Sequence, residues 1–84
     1  MKKEITILSK PNCGGCVLVE TWLRNNDIEP EVIDVFKDEK AMAFMNDNGF
    51  TGLPVTIIGD SIVNGANPME LEEALNKNGY EFTL

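Results

Sequence analysis

The chain contains only two cysteines, Cys13 and Cys16, and two glycines separate them. At this spacing the thiols lie one helical turn apart, so they can close a small disulfide ring and reopen it. Such a pair carries two electrons with no bound cofactor. The spacing therefore indicates thiol–disulfide chemistry, and the rest of the chain must position the two sulfur atoms.

Two other interpretations of the cysteine pair stay open. A closed zinc site needs about four ligands, whereas this chain has two cysteines and no histidine, so we expect no metal site within one chain. A dimer that shares its cysteines around a metal or an iron–sulfur cluster is the second hypothesis. The third is that the spacing has no catalytic use, since two cysteines can stand three apart by chance.

Length and charge limit the classes of function. We expect a single domain, residues 1–84, because this length is close to the smallest at which one hydrophobic core suffices. A formal net charge of −7 disfavours nucleic-acid binding, which needs a basic surface. The apolar runs are shorter than a membrane span of about 20 residues, and the first four residues do not resemble a secretory signal. We therefore predict a cytoplasmic monomer without nucleic-acid or membrane partners.

The pattern of apolar residues and turn residues predicts the element order βαβαββα. The predicted strands are residues 4–9, 31–36, 55–58 and 61–64. The predicted helices are residues 13–26, residues 37–48, and a third that starts at Pro68 after the N-cap Asn67 and stops before Gly79.

This order predicts the sheet. A strand, helix, strand sequence favours parallel pairing through a right-handed crossover, and Gly59-Asp60 between the last two strands predicts a hairpin. We therefore expect an α/β protein with the thioredoxin fold. Its four-stranded mixed sheet has a central first strand, an antiparallel last strand, and helices on both faces.

The first predicted helix assigns different roles to the two thiols. Unpaired amide groups and the helix dipole stabilise an anion at a helix N-terminus, and Lys10 adds a positive charge nearby. We therefore predict Cys13 as the attacking thiol, with a pKa below the free value of about 8.5. Cys16 shares a helical stripe with Val19 and Leu23, which predicts a more buried, resolving thiol.

Two other features of this helix bear on access and packing. Gly14 and Gly15 leave small backbone beside the sulfur, so that a bulky protein disulfide can approach. Leu18 and Trp22 form a second apolar stripe, which predicts a broad buried face.

Pro54 opens the third predicted strand. If its bond to Leu53 is cis, the start of that strand lies against the cysteine pair, and the backbone of Leu53 faces an incoming substrate. From the sequence alone a cis bond is uncommon, at about 5–6% of X–Pro bonds.

The cysteine motif, Leu53-Pro54-Val55, and Gly65 followed by Pro68 together resemble the glutaredoxin family, and most of all its NrdH-type redoxins. The resemblance covers nearly the whole chain. It implies a thiol–disulfide oxidoreductase that passes electrons from thioredoxin reductase to a disulfide-containing protein, ribonucleotide reductase. It also implies that the Leu53–Pro54 bond is cis.

Other residues resemble the glutathione-using members of the same family. The segment Ser9-Lys10-Pro11-Asn12-Cys13 is similar to the approach to a glutathione site, where a lysine at the Lys10 position holds a glutathione carboxylate. The resemblance implies substrate-binding roles for Lys10, Leu53, Pro54, Gly65 and Asn67. Whether glutathione or thioredoxin reductase reduces the cysteine pair stays open at this point.

Overall fold

The four strands form one mixed sheet with the order β2-β1-β3-β4. The computed structural model describes residues 4–82, and its strands are β1 (Ile5–Ser9), β2 (Glu31–Asp34), β3 (Val55–Ile58) and β4 (Ser61–Asn64). β1 lies in the interior and pairs in parallel with β2, whereas the β1–β3 and β3–β4 pairs are antiparallel. β4 is antiparallel to its neighbour, as predicted, and β3 is the strand that runs against the other three.

Three helices cover the two faces of this sheet. They are α1 (Gly14–Asn25), α2 (Glu39–Asp47) and α3 (Pro68–Lys77). One core cluster joins α1 and α3 to the face that carries Ile7, and a second joins α2 to the face that carries Leu8. Neighbouring strand residues point to opposite faces, so β1 serves both cores and must be buried on both sides. The predicted thioredoxin fold is confirmed.

The junction between β2 and α2 is longer than predicted. The Phe36 amide donates a hydrogen bond to Oδ1 of Asp34 at 2.9 Å, which closes a turn within the predicted strand 31–36. The Asp38 side chain then caps α2 by accepting the Ala41 amide at 2.9 Å. The strand therefore ends two residues earlier than predicted, and the helix begins two residues later. At this junction the hydrogen bonds of two aspartates outweigh the apolar pattern.

The buried face of α1 is narrower than predicted. Cys16, Val19 and Leu23 are buried, Trp22 is half-buried, and Leu18 is 49% exposed. At 100° per residue, Leu18 lies about 130° around the helix from the centre of the buried stripe. It therefore faces solvent. Across residues 4–82, no helix has the length and apolar character needed to cross a membrane.

Candidate active site

Cys13 is the N-cap residue of α1. Its backbone is extended, with φ −103° and ψ 105°, and its Sγ accepts a hydrogen bond from the amide of Cys16 at 3.2 Å. The sulfur thus pairs with one of the amides that have no partner within the helix. There is no acidic residue in the first turn, so the positive end of the helix dipole acts on this sulfur unopposed. A thiolate at Cys13 would gain a charge-assisted hydrogen bond.

Cys13 and Cys16 are joined by a disulfide, with their Cα atoms 5.2 Å apart. Cys13 is 9% exposed and Cys16 is 1% exposed. The difference arises because Cys16 points along the buried stripe of α1, whereas Cys13 stands before the first helical residue. An external thiol can therefore reach the sulfur of Cys13 more readily than that of Cys16.

The loop before β3 packs on the first turn of α1. The Leu53–Pro54 bond is cis, in agreement with the resemblance. A β carbon on Gly15 would lie 3.2 Å from Cδ of Pro54 and 3.5 Å from Cβ of Ala66. A β carbon on Gly14 would have no atom within 4 Å. The predicted open backbone is thus found at Gly14, whereas the space beside Gly15 is filled by Pro54 and Ala66.

Gly65 lies beside Pro54. Its amide donates to the carbonyl oxygen of Pro54 at 2.8 Å, and its φ of +93° is a conformation that favours glycine. The side chain of Asn64 donates to the carbonyl oxygen of Gly52 at 3.3 Å. These two bonds hold the end of β4 against the loop that carries Leu53 and Pro54.

Asn67 and Lys10 have different surroundings from these loop residues. The Oδ1 atom of Asn67 accepts the amide of Glu70 at 3.1 Å, so this side chain caps α3 as predicted. Lys10 is exposed between β1 and Cys13. The structure therefore brings Leu53, Pro54 and Gly65 together next to α1. It gives Asn67 a structural bond and leaves Lys10 at the surface.

Three exposed apolar side chains accompany the disulfide, and sequence reasoning missed them as site residues. Val17 is 60%, Phe36 is 68% and Met69 is 79% exposed, and we call them the apolar rim. Val17 follows Cys16 in the first turn of α1, Phe36 follows β2, and Met69 lies in the first turn of α3, which follows β4. β1, β2 and β4 run in the same direction, so the segments after their C-terminal ends meet at one edge of the sheet. The rim and the disulfide share that edge.

Weak signals for this rim existed in the sequence. Phe36 stands two residues after Asp34, an aspartate that can close a turn, and Met69 follows a proline at the start of a helix. Neither side chain is on the apolar stripe of its neighbouring helix.

In described residues 4–82, no group of three or more cysteine, histidine, aspartate or glutamate side chains is arranged to hold a metal ion.

Comparison with known proteins agrees with this geometry. The family model described as Glutaredoxin matches residues 5–63, which include both cysteines and Pro54. The chain belongs to the glutaredoxin family, whose members are thiol–disulfide oxidoreductases.

Individual relatives narrow the position within the family. The glutaredoxin-like protein NrdH of Lactococcus lactis subsp. lactis (strain IL1403) is 30% identical over 67 residues, which cover 80% of this chain and 93% of the relative. The SPbeta prophage-derived thioredoxin-like protein YosR of Bacillus subtilis (strain 168) is 33% identical over 76 residues, and the match covers 83% of this chain and 91% of the relative.

A solved structure supports the same grouping. The glutaredoxin-like protein NrdH-redoxin from Escherichia coli, described as having a thioredoxin-like activity profile, matches with a TM-score of 0.75 and 28% identity. The match covers 82% of this chain and 92% of that chain. Within the glutaredoxin family, the chain is therefore of the NrdH type.

Proposed function

We propose that this protein is a cytoplasmic dithiol electron carrier that reduces protein disulfides, that of ribonucleotide reductase in particular, through Cys13 and Cys16. The hydrogen bond from the Cys16 amide to Sγ of Cys13, at 3.2 Å, carries the proposal. It supports a nucleophilic role for Cys13, because a thiolate at this N-cap is stabilised by the helix. The similarity to proteins named NrdH supports the choice of partner.

The proposed exchange has two steps. The Cys13 thiolate attacks a substrate disulfide, forming a mixed disulfide while the second substrate sulfur leaves as a thiolate. Cys16 then loses its proton to solvent, and its thiolate attacks Sγ of Cys13. This attack releases the first substrate sulfur and forms the Cys13–Cys16 disulfide. Two electrons pass to the substrate, and solvent protonates its two thiolates.

The apolar rim supports a protein as the substrate. A small disulfide needs only the reacting sulfur, whereas a protein surface also needs area on which to dock. Val17, Phe36 and Met69 expose apolar side chains at the edge that carries the disulfide, and burying them against a partner would contribute to binding. Leu53 lies in the same region, and we propose that its backbone contacts the incoming chain beside Cys13, while the fully buried Pro54 holds that backbone in place.

We propose thioredoxin reductase as the electron donor. The Escherichia coli relative is described as having a thioredoxin-like activity profile. Asn67, one candidate residue for glutathione, caps α3 through its Oδ1 atom, which leaves its Nδ2 group as the part of the side chain that could donate to glutathione. Glutathione is the second candidate. It is favoured by Lys10, which is exposed three residues before Cys13 and free to contact a carboxylate.

A paired reductase assay tests the function and the donor together. Insulin is the disulfide substrate, and NADPH consumption is followed with thioredoxin reductase in one arm and with glutathione plus glutathione reductase in the other. We expect turnover in the thioredoxin reductase arm and its loss in the matched Cys13→Ser variant. Turnover in the glutathione arm alone would overturn the proposed donor, and turnover in neither arm would overturn the function.

The oligomeric state tests the remaining alternative. We expect the protein purified without oxygen to be a colourless monomer. A coloured dimer that loses its colour in Cys13→Ser would instead support a shared iron–sulfur cluster.

A further inference from the structure

Thr56 is a buried hydroxyl on the face of the sheet that α1 covers. The residue is 0% exposed, and its Oγ1 atom has no hydrogen-bond partner. Buried polar atoms are normally paired, so each exception needs an explanation. Among residues 4–82, Ser9 is the other buried polar side chain, and its hydroxyl donates to the carbonyl oxygen of Lys10 at 3.4 Å. Within these described residues, the hydroxyl of Thr56 is therefore a buried side-chain donor that has no partner while the Cys13–Cys16 disulfide is closed.

The strand register places Thr56 on the face of the sheet that α1 and α3 cover. It stands between Ile7 of β1 and Val63 of β4 in one row across the sheet. Both neighbours belong to the core cluster that contains Val19 and Leu23 of α1. The Thr56 side chain points to the same face as its row, because directly paired strand residues share a face.

The contact between Pro54 and Gly15 relates the position of Thr56 to the turn of α1 that carries Cys16. Pro54 and Thr56 are two residues apart, so they point to the same face of the sheet. Pro54 lies against Gly15, and Cys16 is the next residue and the first on the buried stripe. Thr56 is two residues further along β3 than Pro54 on this face, so we infer that its side chain approaches α1 from the side of Cys16 and Val19.

We propose that Thr56 is a positioning residue for the resolving cysteine. Its hydroxyl has no partner while the Cys13–Cys16 bond is closed, and it forms a hydrogen bond with Sγ of Cys16 when that bond opens. This inference rests on the proposed function and deepens it. It explains why a hydroxyl occupies a site where valine would fill the same volume without an unpaired polar atom.

The chemistry of reduction gives the hydroxyl its partner. A donor thiolate attacks Sγ of Cys13 and forms a bond to it. The Cys13–Cys16 bond then breaks, and its electron pair stays on Sγ of Cys16. Among residues 4–82 no charged side chain is buried, so this thiolate has no buried counter-charge. The Thr56 hydroxyl donates a hydrogen bond to this sulfur. Thr56 transfers no proton, and its hydroxyl keeps the bond to Sγ of Cys16 after solvent protonates the thiolate.

Two variants separate this role from simple packing. Thr56→Val removes the hydroxyl and keeps the shape, and Thr56→Ser keeps the hydroxyl. The equilibrium between the Cys13–Cys16 pair and dithiothreitol is measured at pH 7 by alkylation of free thiols and mass spectrometry. We expect Thr56→Val to shift the equilibrium towards the disulfide by roughly threefold to tenfold, where tenfold is about 30 mV. Thr56→Ser should stay close to the wild type.

Unfolding of the oxidised variants by denaturant provides the structural control. Thr56→Val should be at least as stable as the wild type, because it removes a buried unpaired hydroxyl. An unchanged redox equilibrium in Thr56→Val would overturn the inference, as would equal shifts in both variants, since these indicate packing alone. The redox behaviour of the wild-type protein separates a failure of this inference from a failure of the proposed function. If its cysteine pair does not reduce and reoxidise reversibly, the proposed function itself fails.

Discussion

Pro54 lies directly against Gly15, so that a β carbon on Gly15 would stand 3.2 Å from Cδ of the proline. Pro54 is itself fully buried, which limits its ability to move away. We expect Gly15→Ala to lower the free energy of unfolding by about 1–3 kcal/mol through overpacking, and to slow insulin reduction by displacing the Pro54 loop. Denaturant unfolding and the reductase assay measure the two effects.

Gly14→Ala is the matched control for that substitution. A β carbon on Gly14 would meet no atom within 4 Å, so we expect its stability to stay within about 0.5 kcal/mol of the wild type. Equal effects at the two glycines would show that helix propensity, rather than the contact with Pro54, decides the outcome.

Asn67 is predicted to act on stability rather than on chemistry. Its side chain accepts the Glu70 amide at 3.1 Å, so Asn67→Ala should lower the free energy of unfolding by about 1 kcal/mol. Asn67→Asp keeps the cap and should keep that stability. Both variants should reduce insulin at the wild-type rate well below the unfolding temperature. A slow but fully stable Asn67→Asp protein would show that this side chain binds the substrate.

Lys10 distinguishes the two electron donors. Its side chain is exposed, and an exposed charge at the rim of an interface contributes little to affinity, so Lys10→Gln should leave the rate with thioredoxin reductase within about twofold. Initial rates at several ionic strengths check this. A large loss that appears only in the glutathione arm would indicate that Lys10 holds a glutathione carboxylate and that the protein uses this donor.

We predict that the apolar rim contributes to the binding of protein substrates and not to that of small disulfides. Met69 is 79% exposed at the edge that carries the disulfide, so Met69→Gln should raise the KM for insulin and leave reduction of a small disulfide such as cystine unchanged. Ile62→Gln is the control, because Ile62 is 43% exposed and lies within β4, whereas Met69 lies in the segment after the C-terminal end of that strand. Equal losses in both variants would contradict a docking role for Met69.

Features that depend on neighbouring residues could be predicted from the sequence. Asn67 was predicted as the cap of α3 because capping involves residues within one helical turn. The different burial of Cys13 and Cys16 followed in the same way from their places on one helix. The cis Leu53–Pro54 bond was implied only by the resemblance to a family.

Specific side-chain contacts between residues far apart in the chain could not be predicted. The nearness of the loop before β3 to the cysteine pair was predicted only on condition of a cis Leu53–Pro54 bond, and the specific contact between Pro54 and Gly15 could not be derived from a local pattern. The unpaired hydroxyl of Thr56 requires the full sheet register, which leaves its Oγ1 without an acceptor. The exposure of Phe36 depends on a turn made by Asp34 within an otherwise strand-like run.

The central claim is that Cys13 attacks and Cys16 resolves, and trapping of the mixed disulfide tests it most directly. Reduced Cys16→Ser and Cys13→Ser proteins are mixed with a disulfide-containing protein, quenched with acid, and analysed by non-reducing mass spectrometry. The account predicts a covalent adduct through Cys13 in the Cys16→Ser protein and no adduct in the Cys13→Ser protein. A stable adduct through Cys16 in the Cys13→Ser protein, with none in the other, would contradict it.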